Sequence, residues 1–122
     1  MDIPWKVEIT SSALTDLQLI CSYITLVLNN PIAATSTYES IISSFNSLQE
    51  FPKRFRIREE MQFEAQKVRS MIVKNYLILY TVIDETHTVS IIHILNGIRS
   101  IVLLQMVSGL VMVFQISISL RY

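Results

Sequence analysis

Six of the chain's ten basic side chains fall within 17 residues, Lys53, Arg54, Arg56, Arg58, Lys67 and Arg69, and Arg99 follows later. Glu60, Glu64, Tyr76, Tyr80 and His93 lie near them in sequence. Such a set suits a phosphodiester. RNA cleaved through its own 2'-hydroxyl needs no metal. It needs a base for that hydroxyl, cations for the crowded phosphate charge, and a proton for the leaving oxygen. Arginine supplies the cations but is a poor base, so Glu60 is the best candidate base and Tyr80 or His93 the best candidate acid. Competing structural roles are as well founded. His93, inside SIIHIL, suits a satisfied sheet histidine better than a catalytic one. Tyr76 and Tyr80 share one side of their strand and serve equally as core or groove aromatics.

Other chemistries are poorly provided for. The sequence has no phosphate-binding glycine loop, no paired Cys or His at metal-ligand spacing, and only two histidines, His87 and His93. No metal or other cofactor is therefore expected. The single cysteine, Cys21, cannot close an internal disulfide, and it sits on an apolar helical stripe where a small buried hydrophobe outweighs a nucleophile. Met1-Asp2-Ile3-Pro4 has neither the basic patch nor the apolar run of an export signal, so the expected location is cytoplasmic. Net charge is zero, which argues against a uniformly basic nucleic-acid binder. Its distribution is uneven: residues 1–52 carry minus four, residues 53–69 plus three and the remainder plus one. That asymmetry can focus an anionic ligand on one surface, or be no more than a solvated face with ordinary ion pairs.

Elements to position these groups follow from the hydrophobic pattern. A chain of 122 residues, half of them apolar, suffices for one core and one domain. Trp5 to Thr10 alternates as a half-buried strand. Ser11 or Ser12 offers an N-cap, with Asp16 near the positive end of the helix dipole. Ala13, Leu17, Ile20, Cys21, Ile24, Val27 and Leu28 form a stripe that predicts a helix over residues 12–28. Asn29-Asn30-Pro31 breaks it and starts a second helix whose stripe is Tyr38, Ile41, Ile42, Phe45 and Leu48, ending near Phe51-Pro52. Residues 56–58 and 67–73 suggest short strands. LILYTVID, a four-residue loop over residues 85–88 and VSIIHIL then form a hairpin. The expected class is α+β: an N-terminal strand and a two-helix hairpin packed on a mainly antiparallel, curved sheet. Residues 101–122 stand apart. Ser100 to Leu120 carries no charge, but Gln105, Ser108, Gly109, Gln115, Ser117 and Ser119 dilute it. Packing on the sheet is the expectation; membrane contact is open to this tail alone, as the lesser reading.

At WKVEIT, DLQLICSYI, the hairpin at NP with Ala33 and Ala34, SLQEFPKRFR, VRSMIVKNYLILYTVID and VSIIHILNGIRSI, the chain resembles toxins of the RelE/ParE superfamily, plasmid stabilisation proteins of type II toxin-antitoxin systems. The resemblance runs over residues 5–99 within an expected toxin domain of residues 1–100, and its specificity lies in the ordered ensemble. It implies the fold just described, a cognate antitoxin whose amphipathic segment wraps the toxin, and one of two activities, of which mRNA cleavage is the first expectation and gyrase inhibition the alternative. RelE-like toxins inhibit translation by ribosome-dependent mRNA cleavage, with ribosome and mRNA as partners. Arg69 and Arg99 match that branch's recurrent arginines, and Lys53, Arg54, Arg56 and Arg58 fall where it carries further basic residues. ParE-like toxins instead poison DNA gyrase without the nuclease's catalytic set. A non-enzymatic or inactive binding module is a third reading. The chain departs from the pattern at Lys67-Val68, where a glycine-containing pair is frequent, at Ser100, where an acidic residue is frequent, and in its apolar tail.

Overall fold

A computed structural model describes residues 3–96. Arg99 and the expectations for residues 101–122 lie outside the described residues. Strand β1 (Lys6–Ile9) leads into helix α1 (Ser11–Ser22), a π-helical turn (Tyr23–Val27) and helix α2 (Pro31–Ser47). A 3-10 turn (Pro52–Arg54) then precedes β2 (Ile57–Phe63), β3 (Gln66–Val73), β4 (Tyr76–Ile83) and β5 (Thr88–Asn96). The strands lie in the order β1-β5-β4-β3-β2. Among the described strands only the β1–β5 pair is parallel, so the sheet is mixed and mainly antiparallel. Register shifts between Arg58 and Gln62 and between Leu79 and Tyr80 mark bulges, which bend and twist the strands that carry them.

The first helix is capped by Thr10, not by Ser11 or Ser12. Thr10 is still extended and its amide donates to the Ile91 carbonyl, while its hydroxyl oxygen accepts from the Ala13 amide at 3.2 Å. One residue thus ends the strand and starts the helix. Regular α-helix stops at Ser22, six residues short of the expected end. The Leu28 amide reaches back five residues to Tyr23, and this wider turn rotates the stripe. Ala13, Leu17, Ile20 and Ile24 are buried as expected and Cys21 packs against them, but Val27 and Leu28 are exposed. Asn30 caps α2 through its side-chain oxygen, and Pro31 occupies the first turn. The buried stripe of α2 is Ala34, Thr37, Ile41, Phe45 and Leu48; Tyr38 falls off its edge.

Both helices cover one face of the sheet, meeting Met71, Ile78, Tyr80, Val89, Ile91 and Ile94 in the main core. Full burial of a side chain such as Phe45 or Ile41 contributes roughly 1.5–3 kcal/mol, which fixes the helical hairpin on this face. Because side chains alternate along β4, Leu77 and Leu79 point the other way and join a second cluster with Met61, Val68, Ile92 and Leu95. The β2–β3 hairpin is longer than expected. It closes through Glu64-Ala65, both with positive φ, the pattern of a two-residue type I′ connection. The β4–β5 connection is Asp84 to His87, one residue earlier than expected.

Candidate functional site

Arg69 on β3 stands directly opposite Tyr80 on β4, and Ile57 of β2 opposes Arg69 from the other side. Arg69 and Tyr80 therefore share the helix-side face and reach the turn that joins α2 to β2. The Arg69 Nη1 donates to the Lys53 carbonyl at 2.9 Å and the Phe55 carbonyl at 2.8 Å. The Tyr80 hydroxyl donates to the Pro52 carbonyl at 2.7 Å. Tyr80 is fully buried, and burial pushes its pKa up to about 12, against the opposing pull of Arg69 and Arg54. A phenol so placed holds its proton and has no solvent-facing side.

Arg54 closes the C-terminal end of α2. Its Nη1 donates to the Glu50 carbonyl at 2.5 Å and the Phe51 carbonyl at 3.0 Å, its Nη2 donates to the Ser47 hydroxyl at 3.1 Å, and its guanidinium lies 4.6 Å from the Phe55 ring centre. Lys53 pairs with Asp84 at 2.7 Å, both exposed. Arg56 is exposed, and its guanidinium makes no hydrogen bond among the described residues.

Arg58 belongs to the opposite face. It pairs with Val68 in the β2–β3 ladder, is buried, and donates from Nε to the Ser70 hydroxyl at 2.9 Å. Burial lowers its pKa first, the charge of Arg56 lowers it further, and Glu60 opposes both. Glu60 sits half-buried in the β2 bulge, and its Oε1 is shut off from solvent without a hydrogen-bond partner among the described residues. Glu64 is exposed in the hairpin turn. The sheet thus separates Arg58 and Glu60 from Arg69 and Tyr80.

His93 is buried on β5, its Nδ1 3.1 Å from the Asp16 Oδ2. Since a carboxylate only accepts, Nδ1 is the protonated nitrogen. The same oxygen accepts from the Ile94 amide at 2.9 Å. This role of Asp16 replaces the dipole interaction expected from sequence. β1 stops pairing with β5 at Ile91, and the carboxylate takes the place of the missing strand. Tyr76 is half-buried against the helical core, its pKa raised by burial and by Cys21; burial also pushes the Cys21 thiol up, the direction of an inert thiol.

Sequence reasoning missed an open cleft of about 940 Å³ beside this turn, lined by Trp5, Phe51, Pro52, Lys53 and His87 among others. Trp5 stacks on His87, ring centres 3.9 Å apart and planes at 21°, and the His87 Nε2 lies 2.7 Å from the Ile3 carbonyl. Phe51 and His87 both hold left-handed backbone, costly for a residue with a Cβ. No local signal announces such a meeting of three separate segments.

Among the described residues, a two-helix hairpin covers one face of a five-stranded mixed sheet, and a basic turn leads from the second helix into β2. The family model described as the ParE toxin of the type II toxin-antitoxin system parDE matches residues 7–100, and the chain belongs to that family: it is a type II toxin. Two solved structures have the same fold. A chain of the chromosomal ParDE system from P. aeruginosa superposes with a TM-score of 0.59 at 19% identity, over 76% of this chain and 96% of that one. A chain of the RelBE2 toxin-antitoxin complex from Mycobacterium tuberculosis superposes with a TM-score of 0.52 at 22% identity, over 79% and 94%. No curated protein matches the sequence. No described helix is long and apolar enough to cross a membrane.

Proposed function

We propose that this toxin acts by binding a protein target, DNA gyrase on the ParE-like reading, rather than by cutting mRNA. The observation that carries the proposal is the engagement of Tyr80 and Arg69 with the backbone carbonyls of Pro52, Lys53 and Phe55. Ribosome-dependent cleavage, the activity first expected, requires a base, an acid and free cations around one phosphate. Here the candidate acids Tyr80 and His93 are buried and hydrogen-bonded, and the candidate base Glu60 acts electrostatically on Arg58 across the sheet from Arg69. Arg69 and Tyr80 on this reading hold the turn in shape, and Lys53, Arg54 and Arg56 form a cationic rim for recognition. Action on gyrase places the toxin in the cytoplasm.

The proposed regulator is an antitoxin. Both structural neighbours come from toxin-antitoxin systems. The helical hairpin of this chain exposes Leu26 (78%), Val27, Leu28 and Ile32 (83%) at its tip, an apolar surface suited to an amphipathic segment.

Purified protein should inhibit ATP-dependent supercoiling of relaxed plasmid by gyrase, and should leave a defined mRNA intact in primer extension with and without translating ribosomes. Cuts that appear only with ribosomes would overturn the proposal and restore the nuclease reading. Growth should stop when the chain is expressed alone and resume when the antitoxin is supplied.

A further inference from the structure

We propose, on the reading of this toxin as a binder of a protein target, that the open cleft beside the 51–56 turn docks an extended peptide segment of that target and seats one uncharged apolar side chain between the Trp5–His87 stack and Phe51. Three separate segments lock one another to build the cleft before any ligand arrives. The Trp5 amide donates to the Gln49 carbonyl at 2.9 Å, the Lys6 amide to the His87 carbonyl at 3.0 Å, and the His87 Nε2 to the Ile3 carbonyl at 2.7 Å. A preformed site spares its ligand the cost of ordering it. Phe51 lines the cleft with φ 49° and ψ 53°, a left-handed geometry in a residue that precedes proline, and it is 71% exposed. Glycine would hold that backbone at lower cost, and burial returns little to a ring so exposed. Arg54 fixes the strained turn by donating to the Glu50 and Phe51 carbonyls. An exposed aromatic held rigid on strained backbone is suited to anchoring a protein interface.

The lining selects the chemistry of the occupant. Trp5 brings an indole N–H that has no acceptor among the described residues and is not shut off from solvent. A carbonyl only accepts, so the His87 Nε2 bonded to Ile3 carries a proton, and in the neutral ring Nδ1 is left as an acceptor. An indole donor and an imidazole acceptor on rings stacked 3.9 Å apart match the C=O and N–H of a peptide backbone, with Ile3 and Phe51 supplying apolar surface beside them. A phosphate chain finds no spare counter-charge here, since Lys53 is paired with Asp84 at 2.7 Å and Glu50 adds a negative charge. A free small molecule would be poorly enclosed: such ligands bury most of their surface, whereas this cleft of about 940 Å³ is open and Phe51 stands exposed on its lip. A segment of the target that meets Arg56 on the same turn can continue into the cleft without a second binding partner.

The test compares full-length variants, at matched soluble levels, for inhibition of gyrase supercoiling and for growth arrest on expression. Phe51→Gly should weaken inhibition at least about thirtyfold and relieve the arrest. Its Tm should equal or exceed that of the parent chain, because glycine relaxes the left-handed backbone; a clearly lower Tm would mean that Phe51 serves packing and would overturn the proposal. Phe51→Trp should keep activity, since a second large ring fills the same role. Trp5→Phe keeps an aromatic ring against His87 and removes only the indole N–H, so inhibition should weaken about fivefold. Where the parent chain inhibits gyrase, undiminished inhibition by Phe51→Gly or Trp5→Phe would overturn the docking site and leave the gyrase reading standing. Where the parent chain leaves gyrase untouched, that reading fails by itself and growth decides the docking site: arrest relieved by Phe51→Gly upholds it, and unchanged arrest overturns it.

Discussion

Replacing Asp16 by alanine removes a carboxylate that accepts from the edge of β5. Two buried donors then lose their acceptor, the Ile94 amide at 2.9 Å and the His93 Nδ1 at 3.1 Å. Each orphaned buried donor costs about 1–3 kcal/mol. Two effects offset part of that: a buried carboxylate no longer has to be desolvated, and alanine gains about half a kcal/mol of helix propensity. The expected net loss is about 2–4 kcal/mol, a large share of the roughly 5–15 kcal/mol that holds a domain folded. At about 4 °C per kcal/mol for a chain of this size, Tm should fall by about 8–16 °C. Asp16→Asn keeps an oxygen that can accept from both donors and removes only the charge, so its loss should be smaller than that of the alanine variant. Urea unfolding followed through Trp5, the sole tryptophan and stacked on His87 far from the substitution in sequence, measures both variants. A loss below about 1 kcal/mol for the alanine variant would refute the idea that the carboxylate stands in for a strand, since a solvated surface aspartate behaves in that way.

Other perturbations test the remaining parts. Ala65→Gly should stabilise the chain by about 0.5–1 kcal/mol, because Ala65 holds φ of 65° in the β2–β3 turn; thermal unfolding checks it, and destabilisation would contradict the turn geometry. Tyr80→Phe should cost about 1–2 kcal/mol at pH 7 by orphaning the Pro52 carbonyl. With the folded pKa of Tyr80 raised to about 12 from the usual 10, the folded state binds more protons between those values, so stability conferred below pH 10 is lost as pH rises to 12. The gap between the parent and Tyr80→Phe should therefore narrow at pH 11 in urea titrations; a constant gap would argue against the buried phenol. Arg69→Ala should lower both toxicity in a growth assay and stability, by about 1–2 kcal/mol given its partial exposure, whereas Arg56→Ala should lower toxicity with stability unchanged. Binding of labelled single-stranded RNA, followed by anisotropy, should weaken with salt with a log-log slope of only about −1 to −2, as two or fewer phosphate contacts would give; a slope near −5 would reveal a true nucleic-acid groove.

What the sequence made legible is what periodicity encodes. The two helical stripes and the β4–β5 hairpin alternate or recur over long enough stretches for the pattern to be read directly, and the break at Asn29-Asn30-Pro31 is chemical. β2 was largely hidden. Its bulge interrupts the alternation, and its turn, Glu64-Ala65, lacks the Asn or Gly that normally announces positive φ. The parallel pairing of β1 with β5 joins residues about 80 apart and leaves no local trace. At the site, residue types drew attention to Arg69 and Tyr80, and they do face each other. Their facing, and the carbonyls they meet, depend on register and on the turn after α2, neither of which spacing specifies.

That register also decides what the cluster of cations can do. Arg58 and Arg69 look equivalent in a list of basic residues, yet Ile57 opposes Arg69 while Arg58 opposes Val68, so one residue of offset sends the two guanidinium groups to opposite faces. Of the four cations between Lys53 and Arg58, Arg58 is buried, Arg54 holds the end of α2, and Lys53 is paired with Asp84. Arg56 alone has its guanidinium exposed and without a hydrogen bond among the described residues. A phosphate in the act of transfer needs several charges converging on it, whereas a protein surface needs one or two anchors set in a shaped apolar surround. The turn at residues 51–56 offers the second arrangement: Arg56 on its rim, Phe51 71% exposed at its crest, and the Trp5–His87 stack beside it, with Tyr80 and Arg69 holding it from below.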